Sequence, residues 1–220
     1  MFAIALDGPS GAGKSTIAKL LSKKLGIAYL DTGAMYRCVG LFMLEHGVDV
    51  ADSEGVARLI DEVQISFVNE NGVQKIMLNG RDVTSAIREH RVSAAASTVS
   101  AHGFVREKLV DMQRKIAAAS PSVLDGRDIG SVVLPDADYK FYLTASVEAR
   151  AKRRYDELIE KGQSVVLADI ARDIAQRDHN DMTRAHSPLV IAEGAIVIDS
   201  TDMNIDEVLE KITSYVEARV

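Results

Sequence analysis

A glycine-rich octapeptide near the start of the chain has the spacing of a phosphate-binding loop. Residues 8–15 read Gly-Pro-Ser-Gly-Ala-Gly-Lys-Ser and match the pattern G-x-x-x-x-G-K-[ST]. Glycines let the backbone curl so that successive N–H groups point at phosphate oxygens, and the following helix adds its positive end. Lys14 can then reach the β- and γ-phosphates, and the Ser15 hydroxyl is placed to hold Mg²⁺. The motif predicts a binding site for ATP and Mg²⁺ formed by Gly8, Pro9, Ser10, Gly11, Ala12, Gly13, Lys14, Ser15 and Thr16.

A phosphate loop alone is shared by kinases, GTPases, motors and passive nucleotide sensors. The Asn-Lys-x-Asp tetrapeptide with which a GTPase reads guanine does not occur in the sequence. A kinase needs a second site for anions, because two phosphate-bearing substrates must meet while their charges are neutralised. Arginines that could form such a site therefore separate a kinase from the other classes.

Two arginines follow short apolar runs that are typical of buried strands. Arg37 ends the heptapeptide Asp-Thr-Gly-Ala-Met-Tyr-Arg, and Arg127 lies within Asp-Gly-Arg-Asp. In an open α/β sheet, ligands bind outside the carboxyl ends of the strands, so both arginines are expected at the edge that carries the phosphate loop. Each arginine also has a plainer interpretation. Asp31 could serve simply as a helix cap while Arg37 is solvated, and Arg127 could pair with Asp128 on the surface.

A basic cluster in the second half of the chain predicts a mobile segment. Four of the five residues from 150 to 154 are Arg or Lys, in a chain whose net charge is −6. Like charges on adjacent helical turns repel unless an anion or carboxylates relieve them. Gly162 offers a hinge, so we predict a lid over residues 150–164 that closes over ATP. Neighbouring acidic residues could instead neutralise the cluster on a solvated helix.

A last charged cluster contains Arg177, Asp181 and Arg184. The three residues recur at i, i+4 and i+7, which places them on one helix face if the helix continues that far. Such a face could bind a polar substrate. It could also be an exposed stripe of ion pairs.

The apolar pattern predicts an α/β fold with a parallel sheet. Strand, loop and helix alternate from Phe2 to a helix that ends near His46. Further strands are predicted around Val123–Leu124, Tyr139–Leu143 and Ala195–Ile198, with a long helical stretch over residues 146–180. A final helix should begin with a capping box formed by Asn204 and Glu207.

An antiparallel insert interrupts this alternation. Runs of alternating polarity at 64–68 and 73–78 flank the segment Asn-Glu-Asn-Gly, and Asn-Gly between such runs is a strong hairpin signal. We predict a small insert at about residues 62–92. The core of a single unit would then consist of residues 1–61 and 93–220.

Composition narrows the possible partners. The chain has 220 residues, of which 47% are hydrophobic and 26% charged, and its pI near 5.4 leaves no basic field for nucleic acid or an anionic membrane. The sequence has no apolar run that approaches the ~18 residues of a membrane helix, and its start lacks the pattern of a signal peptide. The single cysteine, Cys38, fits a reducing compartment and is expected in the core. We therefore expect a cytoplasmic monomer that acts on small molecules.

The motifs resemble those of bacterial cytidylate kinases. The matching segments are 7–16, Asp-Gly-Pro-Ser-Gly-Ala-Gly-Lys-Ser-Thr; 31–37, Asp-Thr-Gly-Ala-Met-Tyr-Arg; 125–137, Asp-Gly-Arg-Asp-Ile-Gly-Ser-Val-Val-Leu-Pro-Asp-Ala; and 177–189. The resemblance implies a P-loop nucleoside-monophosphate kinase fold with a parallel core of five strands, a mobile lid and an enlarged monophosphate-binding insert. It also implies that ATP is the phosphoryl donor and that CMP or dCMP is the acceptor.

The resemblance further implies a role for each matching residue. The residues that would line the CMP site are Thr32, Tyr36, Arg37, Ser97, Arg106, Arg127, Asp128, Arg177, Asp181 and Arg184. The phosphate would be contacted by Arg37, Arg127 and Arg184, the sugar by Arg177 and Asp181, and the base by Ser97, Arg106 and Asp128. Catalysis would rest on Lys14, Arg127 and Arg184, together with Arg153 and Arg154 of the lid. A kinase for UMP or another small acceptor, and a nucleotide-binding regulator without turnover, are the alternatives.

Overall fold

The computed structural model describes residues 2–70 and 73–217. In this part of the chain the strands are β1 (Ala3–Asp7), β2 (Ala28–Asp31), β3 (Ile65–Glu70), β4 (Val73–Leu78), β5 (Arg81–Asp82), β6 (Ser122–Gly126), β7 (Tyr139–Thr144) and β8 (Ile196–Asp199). The α-helices are α1 (Lys14–Leu25), α2 (Thr32–Glu45), α3 (Ser53–Leu59), α4 (His90–Val99), α5 (Gly103–Ala119), α6 (Val147–Glu160), α7 (Leu167–Thr183) and α8 (Ile205–Glu217). The Asn71-Gly72 pair of the predicted hairpin turn lies outside the described residues.

The main sheet has the strand order β2-β6-β1-β7-β8 within the described residues. β1 pairs in parallel with both β6 and β7, and β7 pairs in parallel with β8. Every residue of β1 and β6 is buried, which explains why their apolar residues, 3–6 and 123–124, follow one another instead of alternating with polar ones. The predicted parallel α/β fold is confirmed.

The chain divides into two compact units. The first consists of Met1–Leu30 and Arg114–Val220, and the second of Asp31–Gln113. The predicted insert at 62–92 falls within the second unit, and the limits of the insert and of the lid stay predictions.

The core of the first unit packs α1 and α8 against the sheet. Ile4 and Leu6 of β1 belong to one buried cluster with Leu21 of α1 and Ile212 of α8. The predicted capping box begins α8, since the backbone N–H of Asn204 donates to Glu207 Oε2 at 2.8 Å and the N–H of Glu207 donates to Asn204 Oδ1 at 3.0 Å. The last helix is therefore fixed at its start and along its apolar face.

The second unit contains the antiparallel sheet and the helices α2 and α4. β3 and β4 pair in antiparallel register from Ile65 opposite Leu78, which confirms the predicted hairpin, and β5 adds a short third strand. The backbones of α2 and α4 approach closely at Gly40, where a Cβ would lie 3.0 Å from the backbone nitrogen of Ala96. A side chain at this position would press more tightly on α4 than an ordinary van der Waals contact allows.

The charged C-terminal half differs from the prediction in two ways. The helical stretch predicted over 146–180 is two helices, α6 and α7, because Gly162 between them takes a positive φ of 75° that ends the first one. The second helix ends at Thr183, and Arg184 is extended, so Arg184 does not continue the helix face of Arg177 and Asp181. No helix in the described part of the chain is both long and apolar enough to cross a membrane.

Candidate functional site

The glycine-rich loop joins β1 to α1 and has the curled backbone that its sequence predicts. Gly8, Gly11 and Gly13 all have positive φ, of 144°, 76° and 89°. At Gly8 a Cβ would lie only 1.9 Å from the carbonyl oxygen of Leu143, so the loop packs directly on the end of β7. The side chain of Lys14 is buried, and its Nζ donates a hydrogen bond of 2.7 Å to the carbonyl oxygen of Pro9.

Lys14 lies in an environment that disfavours its positive charge. Burial, and then the charge of Arg127, lower the pKa of Lys14 to about 7, although the carboxylates of Asp125 and Asp181 act in the opposite direction. A bound polyphosphate would add negative charge beside Nζ and raise this pKa again. The free protein therefore holds a lysine whose charge responds to an anion in the loop.

Ser15 and Asp125 form the part of the site that fits a magnesium ion. The Ser15 hydroxyl donates to Asp125 Oδ2 at 2.7 Å, and the Tyr29 hydroxyl donates to Asp125 Oδ1 at 2.9 Å. Mg²⁺ prefers oxygen ligands and is commonly held by one or two carboxylates together with the phosphates of a nucleotide. A hydroxyl and a carboxylate beside a phosphate loop suit that requirement. Sequence reasoning missed Asp125, although its place directly behind the predicted strand Val123–Leu124 was a usable signal.

Arg127, Asp181 and Arg184 form a charge network behind β6. Arg127 Nε donates to Asp181 Oδ2 at 2.7 Å, and Arg184 Nη1 lies 3.6 Å from Asp181 Oδ1. Burial alone would raise the pKa of Asp181, but the positive charges of Arg127 and Arg184 hold it below its usual value. Asp128 lies 3.9 Å from Arg184 Nη2.

The burial of this network decides between the interpretations left open by the sequence. The side chains of Arg184 and Asp181 are only 8% and 14% exposed, so the idea of an exposed ion-pair stripe is wrong. The pairing of Arg127 with Asp128 on the surface is also wrong, because Arg127 pairs with Asp181. Arg177 lies on α7 and contributes to the low pKa of Asp181. Arginines brought together in this way are suited to bind an anionic substrate.

The second unit holds a separate cluster around Asp31. Its Oδ1 accepts a hydrogen bond of 2.8 Å from the backbone N–H of Ala34 and so caps α2, while its Oδ2 lies 3.2 Å from Arg37 Nη2 and 2.9 Å from Arg88 Nη2. Burial alone would raise the pKa of Asp31, but Arg37 and Arg88 hold it below its usual value. Asp31 is thus a helix cap and also orients two arginines. Arg88 had no signal in the sequence, because nothing local shows that it lies beside Asp31.

Other predicted residues of the second unit gather along α2, α4 and α5. The guanidinium carbon of Arg106 lies 5.1 Å from the ring centre of Tyr36, and Arg106 Nη1 donates to the carbonyl oxygen of Ser100 at 3.2 Å. Thr32 is buried at the start of α2, and Ser97 lies partly buried on α4. Burial raises the pKa of the Cys38 thiol to about 12, which fits the predicted place in the core and not a nucleophile.

The basic cluster on α6 is not a uniform lid surface. Arg150 is buried and donates to the carbonyl oxygen of Ser10 at 2.8 Å and to Asp178 Oδ2 at 2.6 Å. Arg153 donates to the backbone of the segment after β8, with contacts to Ser200, Thr201 and Met203. Arg154 pairs with Glu157 at 2.7 Å, with both side chains 45% exposed, so the expected neutralisation by neighbouring carboxylates holds for this residue. The catalytic roles of Arg153 and Arg154 stay predictions.

Comparison with known proteins gives consistent matches. The sequence matches the family model described as cytidylate kinase over residues 4–218. The cytidylate kinase of Caldicellulosiruptor saccharolyticus is 51% identical over 209 residues, covering 95% of this chain and 92% of the relative. That of Carboxydothermus hydrogenoformans is 48% identical over 213 residues, covering 97% and 96%. The crystal structure of shikimate kinase from Bacteroides thetaiotaomicron is similar with a TM-score of 0.50 and 13% identity over 98% of each chain, a likeness of fold alone.

Proposed function

The chain belongs to the cytidylate kinase family, and we propose that it transfers the γ-phosphoryl group of ATP directly to the α-phosphate of CMP or dCMP. The resemblance read from the sequence motifs is thereby confirmed. The observation that carries the proposed mechanism is the buried network of Arg127, Asp181 and Arg184, which lies in the same unit as the phosphate loop and contributes to the electrostatics of Lys14. Positioning and charge neutralisation do the catalysis, and no covalent intermediate with the protein is needed.

The phosphate loop is proposed to hold the triphosphate of ATP. Its backbone N–H groups and Lys14 would bind the phosphates, and Ser15 with Asp125 would hold Mg²⁺. When bound, Mg²⁺ neutralises charge on the β- and γ-phosphates. The low pKa of Lys14 in the free protein supports this assignment, because a phosphate is the partner that would restore its charge.

The acceptor nucleotide is proposed to meet arginines from several elements. Its phosphate would be contacted by Arg37, Arg127 and Arg184, and its sugar by Arg177 and Asp181. The rest of the nucleotide site would be lined by Thr32, Tyr36 and Ser97. The support is electrostatic: Arg37 shares the carboxylate of Asp31 with Arg88, and Arg127 and Arg184 share that of Asp181. Around Asp31 two guanidinium groups face one carboxylate, and guanidinium groups bind phosphate oxygens well. Arg153 and Arg154 would complete the site from the lid.

Asp128 and Arg106 are proposed to select cytosine over uracil. Cytosine presents an amino donor at N4 beside an acceptor at N3, whereas uracil presents an acceptor at O4 beside a donor at N3. A carboxylate only accepts and a guanidinium only donates, so the pair matches cytosine and mismatches uracil. Both side chains are buried, 4% exposed at Asp128 and 3% at Arg106, and a buried mismatch is costly.

The substitution Asp128→Asn tests this assignment. The amide adds a donor that can face O4 of uracil, so the variant should lose efficiency with CMP and narrow the ratio of kcat/KM between CMP and UMP by about 100-fold. Asp136→Asn is the matched control, since Asp136 is an exposed carboxylate in the same connection between β6 and β7. An unchanged CMP/UMP ratio in a folded Asp128→Asn protein would show that Asp128 does not read the base.

A panel of acceptors tests the function as a whole. ADP formation from ATP should be fast with CMP and dCMP, slow with UMP and absent without an acceptor. A preference for UMP, or binding of ATP without any turnover, would overturn the proposal. We also propose that the enzyme works as a monomer in the cytoplasm, where ATP is available and the Cys38 thiol stays reduced.

A further inference from the structure

Asp7, the last residue of β1, is buried and makes two hydrogen bonds to a distant part of the chain. Its Oδ1 accepts from the backbone N–H of Ile129 at 2.8 Å, and its Oδ2 accepts from that of Gly130 at 2.7 Å. Asp7 is only 3% exposed to solvent. Both oxygens of one carboxylate are therefore committed to two consecutive N–H groups.

These N–H groups begin the segment that directly follows Arg127 and Asp128. Residues Ile129–Val133 form a short π-helical turn, in which the N–H of Val133 donates to the carbonyl oxygen of Asp128 at 3.1 Å. Asp128 precedes this turn but its side chain makes no capping hydrogen bond to it. Asp7, 122 residues earlier in the sequence, supplies the capping acceptors instead.

We propose that Asp7 is a positioning residue for the acceptor nucleotide, because it fixes the backbone from which Arg127 and Asp128 project. This inference rests on the proposed function, which assigns Arg127 to the phosphate and Asp128 to the base of CMP. Asp7 ties the segment to the central strand of the sheet, a rigid element, and rigid support is what keeps a binding residue in a productive geometry.

The charges around Asp7 agree with this role at neutral pH. Burial raises the pKa of Asp7 to about 6, with a smaller contribution in the same direction from Asp128, while the two N–H groups and Lys14 lower it. The carboxylate is thus ionised above about pH 6, where both oxygens are acceptors. Asparagine at this position would turn one oxygen into a donor that faces an N–H group.

Steady-state kinetics of Asp7→Asn, together with binding of a non-hydrolysable ATP analogue, test the proposal. One lost hydrogen bond and two opposed donors should displace the segment, so KM for CMP should rise about tenfold or more. The Kd of the ATP analogue should change less than about twofold, because the phosphate loop keeps its own contacts. Hydrogen exchange at residues 127–134 should become faster, since one of the two N–H groups loses its acceptor.

Asp138→Asn is the matched control, because Asp138 Oδ2 accepts a hydrogen bond of 2.7 Å from the backbone N–H of Ala3 at the other end of β1. This variant should leave both constants unchanged. If Asp7→Asn does not fold, Asp7→Ser, which keeps one acceptor and adds no opposed amide, is assayed in the same way. An unchanged KM for CMP, or equal losses for CMP and the ATP analogue, overturns the inference. The exchange measurement stays informative even if the wild-type protein proves inactive with CMP, so the two proposals fail separately.

Discussion

Replacing Arg150 with methionine should both destabilise the protein and weaken its binding of ATP. The guanidinium of Arg150 donates to the carbonyl oxygens of Ala145 at 2.9 Å and Ser10 at 2.8 Å, and to Asp178 Oδ2 at 2.6 Å. It joins three elements, the end of β7, the phosphate loop and α7. Methionine keeps most of the aliphatic length but none of the donors.

The magnitude follows from the burial of the ion pair. The side chains of Arg150 and Asp178 are 4% and 10% exposed, so the substitution leaves Asp178 as a buried charge without its partner. Breaking such a pair costs about 3–5 kcal/mol. For a chain of this length each kcal/mol lowers Tm by roughly 2–4 °C, so we expect a fall of about 6–20 °C. ATP affinity should fall as well, because the Ser10 carbonyl that shapes the loop loses its donor.

A second substitution separates the two effects. In Arg150→Met/Asp178→Leu no buried charge remains, so most of the lost stability should return, whereas ATP affinity should stay low because Ser10 is still without its donor. Lys152→Met is the control on the same helix: Lys152 is 61% exposed and pairs with Asp156 on the surface, so its loss should cost less than about 0.5 kcal/mol. Urea denaturation and calorimetric titration with an ATP analogue measure both quantities. A loss of stability in Arg150→Met no larger than in Lys152→Met would refute the reasoning, as would an ATP affinity that recovers with the stability in the double variant.

Three further predictions concern the loop and the lid. Since the pKa of Lys14 is lowered to about 7, Lys14 is mostly neutral at pH 8, and the complex should take up as much as about 0.9 proton when ATP binds. This uptake is measured as a dependence of the calorimetric binding enthalpy on the ionisation enthalpy of the buffer. The variant Lys14→Arg, which is always charged, should take up no proton, and a wild-type protein without buffer dependence would contradict the low pKa. The substitution Gly8→Ala should destabilise the protein by about 3 kcal/mol or more, because the new Cβ would overlap with Leu143. At Gly26, which has a φ of 65° but no atom within 4 Å of the position of a Cβ, the same substitution should cost only about 1 kcal/mol. Equal free energies of unfolding in the two variants would contradict the close contact at Gly8. Hydrogen exchange across residues 150–164 should slow when a bisubstrate analogue binds, and unchanged exchange would argue against a lid there.

Local patterns in the sequence were sufficient for the secondary elements and the phosphate loop. The buried strands β1 and β6 contain consecutive apolar residues, and the capping box at Asn204 and Glu207 is a contact between residues three apart. Predicting the break between α6 and α7 also requires the knowledge that Gly162 takes a positive φ. These features depend on the conformation of a few neighbouring residues, which the residue types largely determine.

The contacts that build the site were beyond such patterns because they join distant segments. Asp125 meets Ser15 across 110 residues, and Arg150 meets Ser10 across 140. The sequence shows that Arg150 is charged but not that it is buried, so its pattern predicts a lid or a solvated helix instead of a buried ion pair. The resemblance to a family pointed to Arg127, Asp128 and Asp181 together, whereas spacing alone had left a surface ion-pair stripe open. Residue types predicted the chemistry, and only the tertiary structure showed the partners.

The order of the strands delays the pairing of β1, the strand that precedes the phosphate loop, during synthesis of the chain. β1 pairs with β6 and β7, with Ala3 opposite Ser122 and Ile4 opposite Tyr139, so its partners leave the ribosome long after β1 itself. At about 5–20 residues per second, roughly 6–24 s pass before β6 has been made. The second unit, Asp31–Gln113, is contiguous and is complete before that point. The nascent enzyme thus carries an unpaired apolar strand through most of its translation, and this strand is the segment that a chaperone acting on the ribosome would shield.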